Sequence, residues 1–179
     1  MTDHSFMKRI KILICGPEST GKTTLTRELA KQLKFAHIEE FAREYFDKNP
    51  LNNEREVIEK IARKQIEIER EASKKHQTII CDTGLINIKV WMEFIELKIP
   101  NFVEDHIRKS RYDFALLLYP NTPWIADGQR ANPNDRMALF NAFHKHLTTY
   151  NIPFQIIKSL NDARYADSVK AINNFLAKA

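Results

Sequence analysis

Lys8-Arg9-Ile10-Lys11-Ile12-Leu13-Ile14-Cys15 runs straight into Gly16-Pro17-Glu18-Ser19-Thr20-Gly21-Lys22-Thr23, and this join decides how the rest of the 179-residue chain is read. The first segment is a short apolar run, rich in Ile and entered through basic residues, which predicts a strand buried in a parallel sheet. The second matches G-x-x-x-x-G-K-[ST] at every fixed position. Beyond it, Leu25, Leu29, Ala30 and Leu33 recur at helical spacing, so a helix over Thr24–Leu33 begins where the loop ends. Strand, glycine-bearing loop and helix in that order make a phosphate-binding loop. Its backbone N–H groups surround dense negative charge, and the helix N-terminus adds a positive dipole. Gly16 and Gly21 permit the turn and a close approach. Lys22 reaches the β- and γ-phosphates as a mobile cation, Thr23 offers its hydroxyl to Mg²⁺, and Thr24 lies next to the α-phosphate. The nucleotide-binding set is therefore Gly16, Glu18, Ser19, Thr20, Gly21, Lys22, Thr23 and Thr24, with ATP and Mg²⁺ as cofactors.

Outward from the loop, strands and helices alternate. Strands are expected at Phe35–Ile38, Thr78–Cys81, Phe114–Tyr119 and Phe154–Ile157. Helices are expected over Glu40–Lys48, from Asn53 to about Lys75, over Leu85–Leu97, near Val103–Lys109, over Arg136–Tyr150 and over Asp162–Ala177. The long helix is read with Asn53 as its cap and Val57, Ile61, Ile68 and Ala72 as its apolar face. Alternation of this kind predicts an α/β fold with a parallel sheet and helices on both faces. With the phosphate loop, a three-layer P-loop NTPase is expected, with a five-stranded parallel sheet in the strand order 2-3-1-4-5. One domain over residues 1–179 is expected, with a loose tail at 1–8 and a lid loop at 120–136. Asp82 closes the third strand, at the sheet edge where such folds bind ligands. From there it can hold Mg²⁺ together with Thr23.

Composition narrows the class. Hydrophobic residues make up 43% and charged residues 28% of the chain, which is ordinary for a globular protein. No apolar run approaches a membrane span, and residues 1–9 lack the apolar core of a secretory signal. Cys15 and Cys81 each end an apolar run and read as buried thiols in a reducing cytoplasm. The net charge is +5, but the Lys and Arg are interleaved with Glu along helices. A solvated helix surface plus a phosphate-binding cleft accounts for the excess, and nucleic acid is not the expected partner. His144 and His146 point to different faces of a helix, so a metal site there is not expected.

A phosphate loop alone does not name the reaction. After the third strand a GTPase would show D-x-x-G, whereas here Asp82-Thr83-Gly84 puts the glycine one place early. The guanine-reading N-K-x-D is absent too. Kinases for small molecules carry an arginine-bearing lid between the fourth strand and the next helix. Pro123-Trp124-Ile125-Ala126-Asp127-Gly128-Gln129-Arg130, with Arg136 beyond it, fits that description. Arg130 and Arg136 would close over the transferring group and exclude water. Trp124 would stack on a flat ring, and Asp127 would accept bonds from sugar hydroxyls. After the second strand, Glu39-Glu40-Phe41-Ala42-Arg43-Glu44-Tyr45 supplies an acceptor region. Glu40 would bind a substrate hydroxyl or take its proton, and Arg43 would bind phosphate or orient a carboxylate. Glu40 and Asp82 both qualify as the general base.

GPESTGKTTL, EEFAREY, CDTGL and PWIADGQR with Arg136 together resemble the ribosylnicotinamide kinase domain of NadR-type proteins, over most of the chain. The resemblance implies transfer of the ATP γ-phosphate to the ribose 5′-hydroxyl of nicotinamide riboside, giving nicotinamide mononucleotide. It places Lys22, Thr23 and Asp82 at the ATP and Mg²⁺ positions. Glu40, Arg43, Trp124 and Asp127 fall in the acceptor region, and Arg130 and Arg136 in the lid. Where that family has a D-T-D segment, this chain has Gly84 in the second Asp position. The adenylyltransferase and helix-turn-helix parts of such proteins are not expected here. Two other classes remain: a kinase for another nucleoside or metabolite, and a non-catalytic ATP-binding regulatory module.

Overall fold

Alternate residues of the first strand, β1 (Ile10–Cys15), face two different cores: Ile12 and Ile14 pack to one side, Leu13 and Cys15 to the other. All four are fully buried, as a central parallel strand covered on both faces requires. The computed structural model describes residues 9–110, 112–124 and 134–179. Along the chain follow α1 (Lys22–Leu33), β2 (Ala36–Ile38), α2 (Phe41–Lys48), α3 (Arg55–Lys75), β3 (Thr78–Asp82), α4 (Leu85–Phe94), α5 (Asn101–Lys109), β4 (Phe114–Leu118), α6 (Arg136–Thr149), β5 (Phe154–Ile157) and α7 (Asn161–Leu176).

The five strands pair in parallel in the order β2-β3-β1-β4-β5, which is the expected order. Helices α1 and α7 cover one face over Ile12, Ile14, Ile80 and Leu116, and α3, α4 and α6 cover the other over Leu13, Cys81 and Leu117. The register that sets Ile14 opposite Asp82 carries the end of β3 alongside the end of β1. Thr83 N–H donates to Ile14 O at 3.1 Å and locks that alignment. Among the described residues no helix is long and apolar enough to cross a membrane.

Two expectations need correction. The long helix is capped at Glu54 rather than Asn53, and Asn52 Oδ1 accepts the Glu54 N–H at 2.6 Å. Its fully buried positions are Ile58, Ile61, Ala62, Gln65 and Glu69; of the expected face Ile61 is among them, Ile68 and Ala72 pack half-buried against the same core, and Val57 is half-buried. Gln65 and Glu69 were hidden because they are polar. The fourth helix also ends early, at Phe94, where Glu96 takes a positive φ of 57°. Residues 1–8 and most of the lid loop, Asp127 and Arg130 included, lie outside the described residues.

Candidate active site

Leaving β1, the chain turns through Gly16 at φ 138°, where a Cβ would lie 2.8 Å from Leu118 O of β4, so only glycine fits. Gly21, at φ 76°, caps α1 in the left-handed region. The first turn of α1 has no acidic side chain, which leaves its positive end open to an anion. Within the loop, Thr20 Oγ1 and Lys22 Nζ both donate to Pro17 O at 2.8 Å. The ammonium of Lys22 thus folds back onto its own loop. Thr122, at the base of the lid segment, donates its hydroxyl to Ser19 O. Arg136, the first residue of α6, donates to Thr122 O at 2.7 Å and Thr122 Oγ1 at 3.0 Å. Arg136 therefore ties the base of the lid segment to the phosphate loop. From α7, Arg164 reaches Thr20 O at 2.5 Å and Ser159 O at 2.9 Å.

Three ionisable groups converge beside this loop. Burial lowers the Lys22 pKa, and Glu40 and Asp82 oppose that fall. Burial raises the Glu40 pKa; the Lys22 charge pulls it down, Asp82 pushes it up, and Arg43 and a bond with Thr83 lower it. Asp82 is only 2% exposed, and its Oδ1 has no hydrogen-bond partner. A buried carboxylate oxygen left unsatisfied is costly and calls for a cation. The Thr23 hydroxyl, on the cleft wall, is a second hard oxygen donor of the kind Mg²⁺ prefers. The residues present therefore fit that ion.

A cleft of about 300 Å³ opens from the phosphate loop, and Gly16, Glu18, Ser19, Thr20, Gly21, Lys22, Thr23 and Thr24 all lie along it. Beyond Glu40 and Arg43 it becomes an apolar chamber walled by Phe46, Ile61, Ile88, Trp91, Leu139 and Phe143. Helices α2, α3, α4 and α6 each contribute to that wall. Neither Trp124, which is half-buried, nor Asp82 is on the cleft surface. Asn87 and Trp91 sit four apart on α4, and that spacing was the available signal that they share a face. The two histidines of α6 are used otherwise. His146 is buried, with Nε2 2.6 Å from Glu93 Oε2, and His144 meets Phe154 edge to face.

Sequence reading also missed a polar network behind the cleft. Glu69 of α3 is 2% exposed and receives Tyr112 Oη–H at 3.0 Å, Gln65 Nε2 at 3.2 Å and Lys11 Nζ at 3.2 Å. Two backbone donors end on it: Leu85 N–H on Tyr112 Oη at 3.2 Å, and Phe41 N–H on Gln65 Oε1 at 3.1 Å. The network thus spans the N-termini of α2 and α4, which follow Glu40 and Gly84. It also accounts for Gly84. A Cβ there would stand 2.0 Å from Tyr112 Oη and 3.2 Å from Glu69 Oε1. Position 84 faces this network, and it is not on the cleft surface.

Comparison with known proteins agrees with this geometry. The trifunctional NAD biosynthesis/regulator protein NadR of Salmonella typhimurium is 28% identical over 97% of this chain, and that of Escherichia coli is 26% identical over the same share. The chain spans 44% of the length of each of these curated relatives. Among solved structures, a NadR protein in complex with NR superposes with a TM-score of 0.79 at 22% identity, over 93% of this chain and 51% of that one. A thymidylate kinase from Ehrlichia chaffeensis superposes with a TM-score of 0.65 at 12% identity, over 92% of this chain and 99% of that one. Both likenesses show the same fold. Residues 11–164, from β1 to the first turn of α7, match the family model described as an AAA domain (AAA_28), and the chain belongs to that family.

Proposed function

We propose that the chain is an ATP-dependent kinase that phosphorylates nicotinamide riboside at the ribose 5′-hydroxyl, giving nicotinamide mononucleotide. The observation that carries this reading is the continuous cleft: phosphate loop at one end, aromatic and apolar chamber at the other, Glu40 and Arg43 between. A nucleoside fits those surfaces in that order. Its ring takes the chamber near Trp91 and Phe46, its ribose lies by Glu40 and Arg43, and its 5′-oxygen faces the γ-phosphate. The likeness to NadR proteins, one of them solved with NR, supports the same acceptor.

Glu40 lies on the cleft wall and Asp82 does not, which favours Glu40 as the base that takes the 5′-hydroxyl proton. The 5′-oxygen bonds to the γ-phosphorus as the bond to the β–γ bridging oxygen breaks, and the proton stays on Glu40. Lys22 carries positive charge to the transferring group, Arg130 and Arg136 close over it against water, and Asp127 accepts bonds from the ribose hydroxyls. Trp124 acts with that lid and not as the wall of the ring site. When bound at Thr23 and Asp82, Mg²⁺ neutralises charge on the β- and γ-phosphates. A cytoplasmic setting suits the two buried thiols; burial pushes the Cys15 thiol up to about 12.

The test is ADP release in the presence of Mg²⁺ over a panel of nucleosides. Nicotinamide riboside should stimulate release most strongly, and Lys22→Ala should lower the rate by about 10²–10³-fold without loss of fold. ATP binding without stimulation by any nucleoside would support a regulatory module instead. Stimulation by a different nucleoside alone would replace the acceptor.

A further inference from the structure

Arg164 is the charged group hardest to explain as mere structure. It lies in the first turn of α7, 8% exposed, with its side chain under the phosphate loop. Nη1 donates to Thr20 O at 2.5 Å, Nε donates to Ser159 O at 2.9 Å, and Nη2 is buried with no hydrogen-bond partner. Among the described residues no carboxylate lies within ion-pair distance of it. Burial lowers its pKa, and no neighbouring charge opposes that fall. The helix N-terminus that carries it is itself the positive end of a dipole, so the placement costs energy twice. A buried cation of this kind persists when something else supplies the countercharge.

The peptide it holds shows what that is. In a trans peptide the C=O and the N–H point in opposite directions. With Thr20 O drawn onto Arg164, the N–H of Gly21 is turned the other way, towards the inside of the loop. Gly21 has a positive φ of 76°, and a Cβ added there would lie 3.2 Å from Arg164 Nη1. The guanidinium therefore packs directly against a peptide of the loop whose orientation a glycine leaves free. The same fork fixes the loop after β5 through Ser159 O.

We propose that Arg164 is a positioning residue for the nucleotide: it holds the Thr20–Gly21 peptide with its N–H facing the phosphates, and the polyphosphate supplies the anion its buried charge lacks. The ligand class is a nucleoside triphosphate or any linear polyphosphate. This inference rests on nucleotide binding at the loop and not on the identity of the acceptor.

Calorimetric titration of ATP–Mg²⁺ and of inorganic tripolyphosphate into wild type, Arg164→Met and Arg164→Lys tests it, with thermal melts of the ligand-free proteins alongside. Losing a charge-assisted contact should weaken both ligands at least about tenfold in Arg164→Met. Arg164→Lys keeps the charge without the fork and should fall between Met and wild type. It also carries the test if the Met variant does not fold. Wild-type affinity for tripolyphosphate in either folded variant overturns the proposal. So does a lowered melting temperature with unchanged affinities, the result a structural anchor would give. No acceptor is present in these titrations, so a wrong acceptor leaves their outcome untouched.

Discussion

At the head of α2, Glu40 carries its carboxyl into the cleft beside Lys22, where burial raises its pKa and the ammonium pulls part of that rise back. A raised carboxyl pKa suits a base that must hold a proton briefly near neutral pH. It also has a cost. The folded protein keeps a proton here at pH values where the unfolded chain, with a Glu pKa of about 4.3, has released it. The stability that this difference contributes is full below the unfolded value and is lost as pH rises through the folded one. Glu40→Gln should therefore stabilise the ligand-free protein relative to wild type, and the gain should grow from pH 4 upwards. Urea unfolding of the two proteins at several pH values measures this; a gain that shrinks with rising pH would contradict it. In the same variant kcat should fall by about 10²–10⁴-fold with ATP affinity retained.

The element that most departs from simple patterning is α3. Its core-facing stripe begins as Ile58, Ile61 and Ala62 and continues as Gln65 and Glu69. Buried polar groups are tolerable when each is satisfied, and here Glu69 collects donors from Lys11, Gln65 and Tyr112. The return is rigidity where it is useful, because the network spans the first turns of α2 and α4 on either side of the cleft. Burial also pushes the Tyr112 hydroxyl well above its usual pKa, so it stays protonated as a donor. Tyr112→Phe leaves the Leu85 N–H without an acceptor and takes one donor from Glu69. It should cost about 1–3 kcal/mol in urea unfolding. Because the turn after Asp82 loosens, kcat should fall more than the KM for ATP rises. Unchanged stability would show that the network is slack. Gly84→Ala drives a methyl group at Tyr112 and should cost about 1–3 kcal/mol by overpacking.

For the whole molecule, the sheet and the nucleotide end of the cleft were legible because their signals are local. Each apolar run of strand length, the helix that begins where the phosphate loop ends and the carboxylate closing β3 is marked by residues within a few positions of itself. The acceptor chamber was not legible in the same way. Its wall comes from four helices, and none of Phe46, Trp91 or Phe143 differs locally from a core residue. Trp124 stood out among polar neighbours, but it is not on the cleft surface. Arg164 gave no local sign at all, since Thr20 is 144 residues away. Gly84 read as a change in the acceptor site, whereas the space beside it belongs to Tyr112, a residue with no visible tie to it in the sequence. At this scale phosphoryl transfer depends on a cleft that joins a phosphate loop to an apolar chamber. Phosphorus NMR of the products formed from ATP, Mg²⁺ and nicotinamide riboside tests that directly. The predicted result is one phosphate monoester coupled to the two ribose 5′-protons for each ADP released, lost in Lys22→Ala. ADP with inorganic phosphate and no ester, or no turnover with this nucleoside, would contradict it.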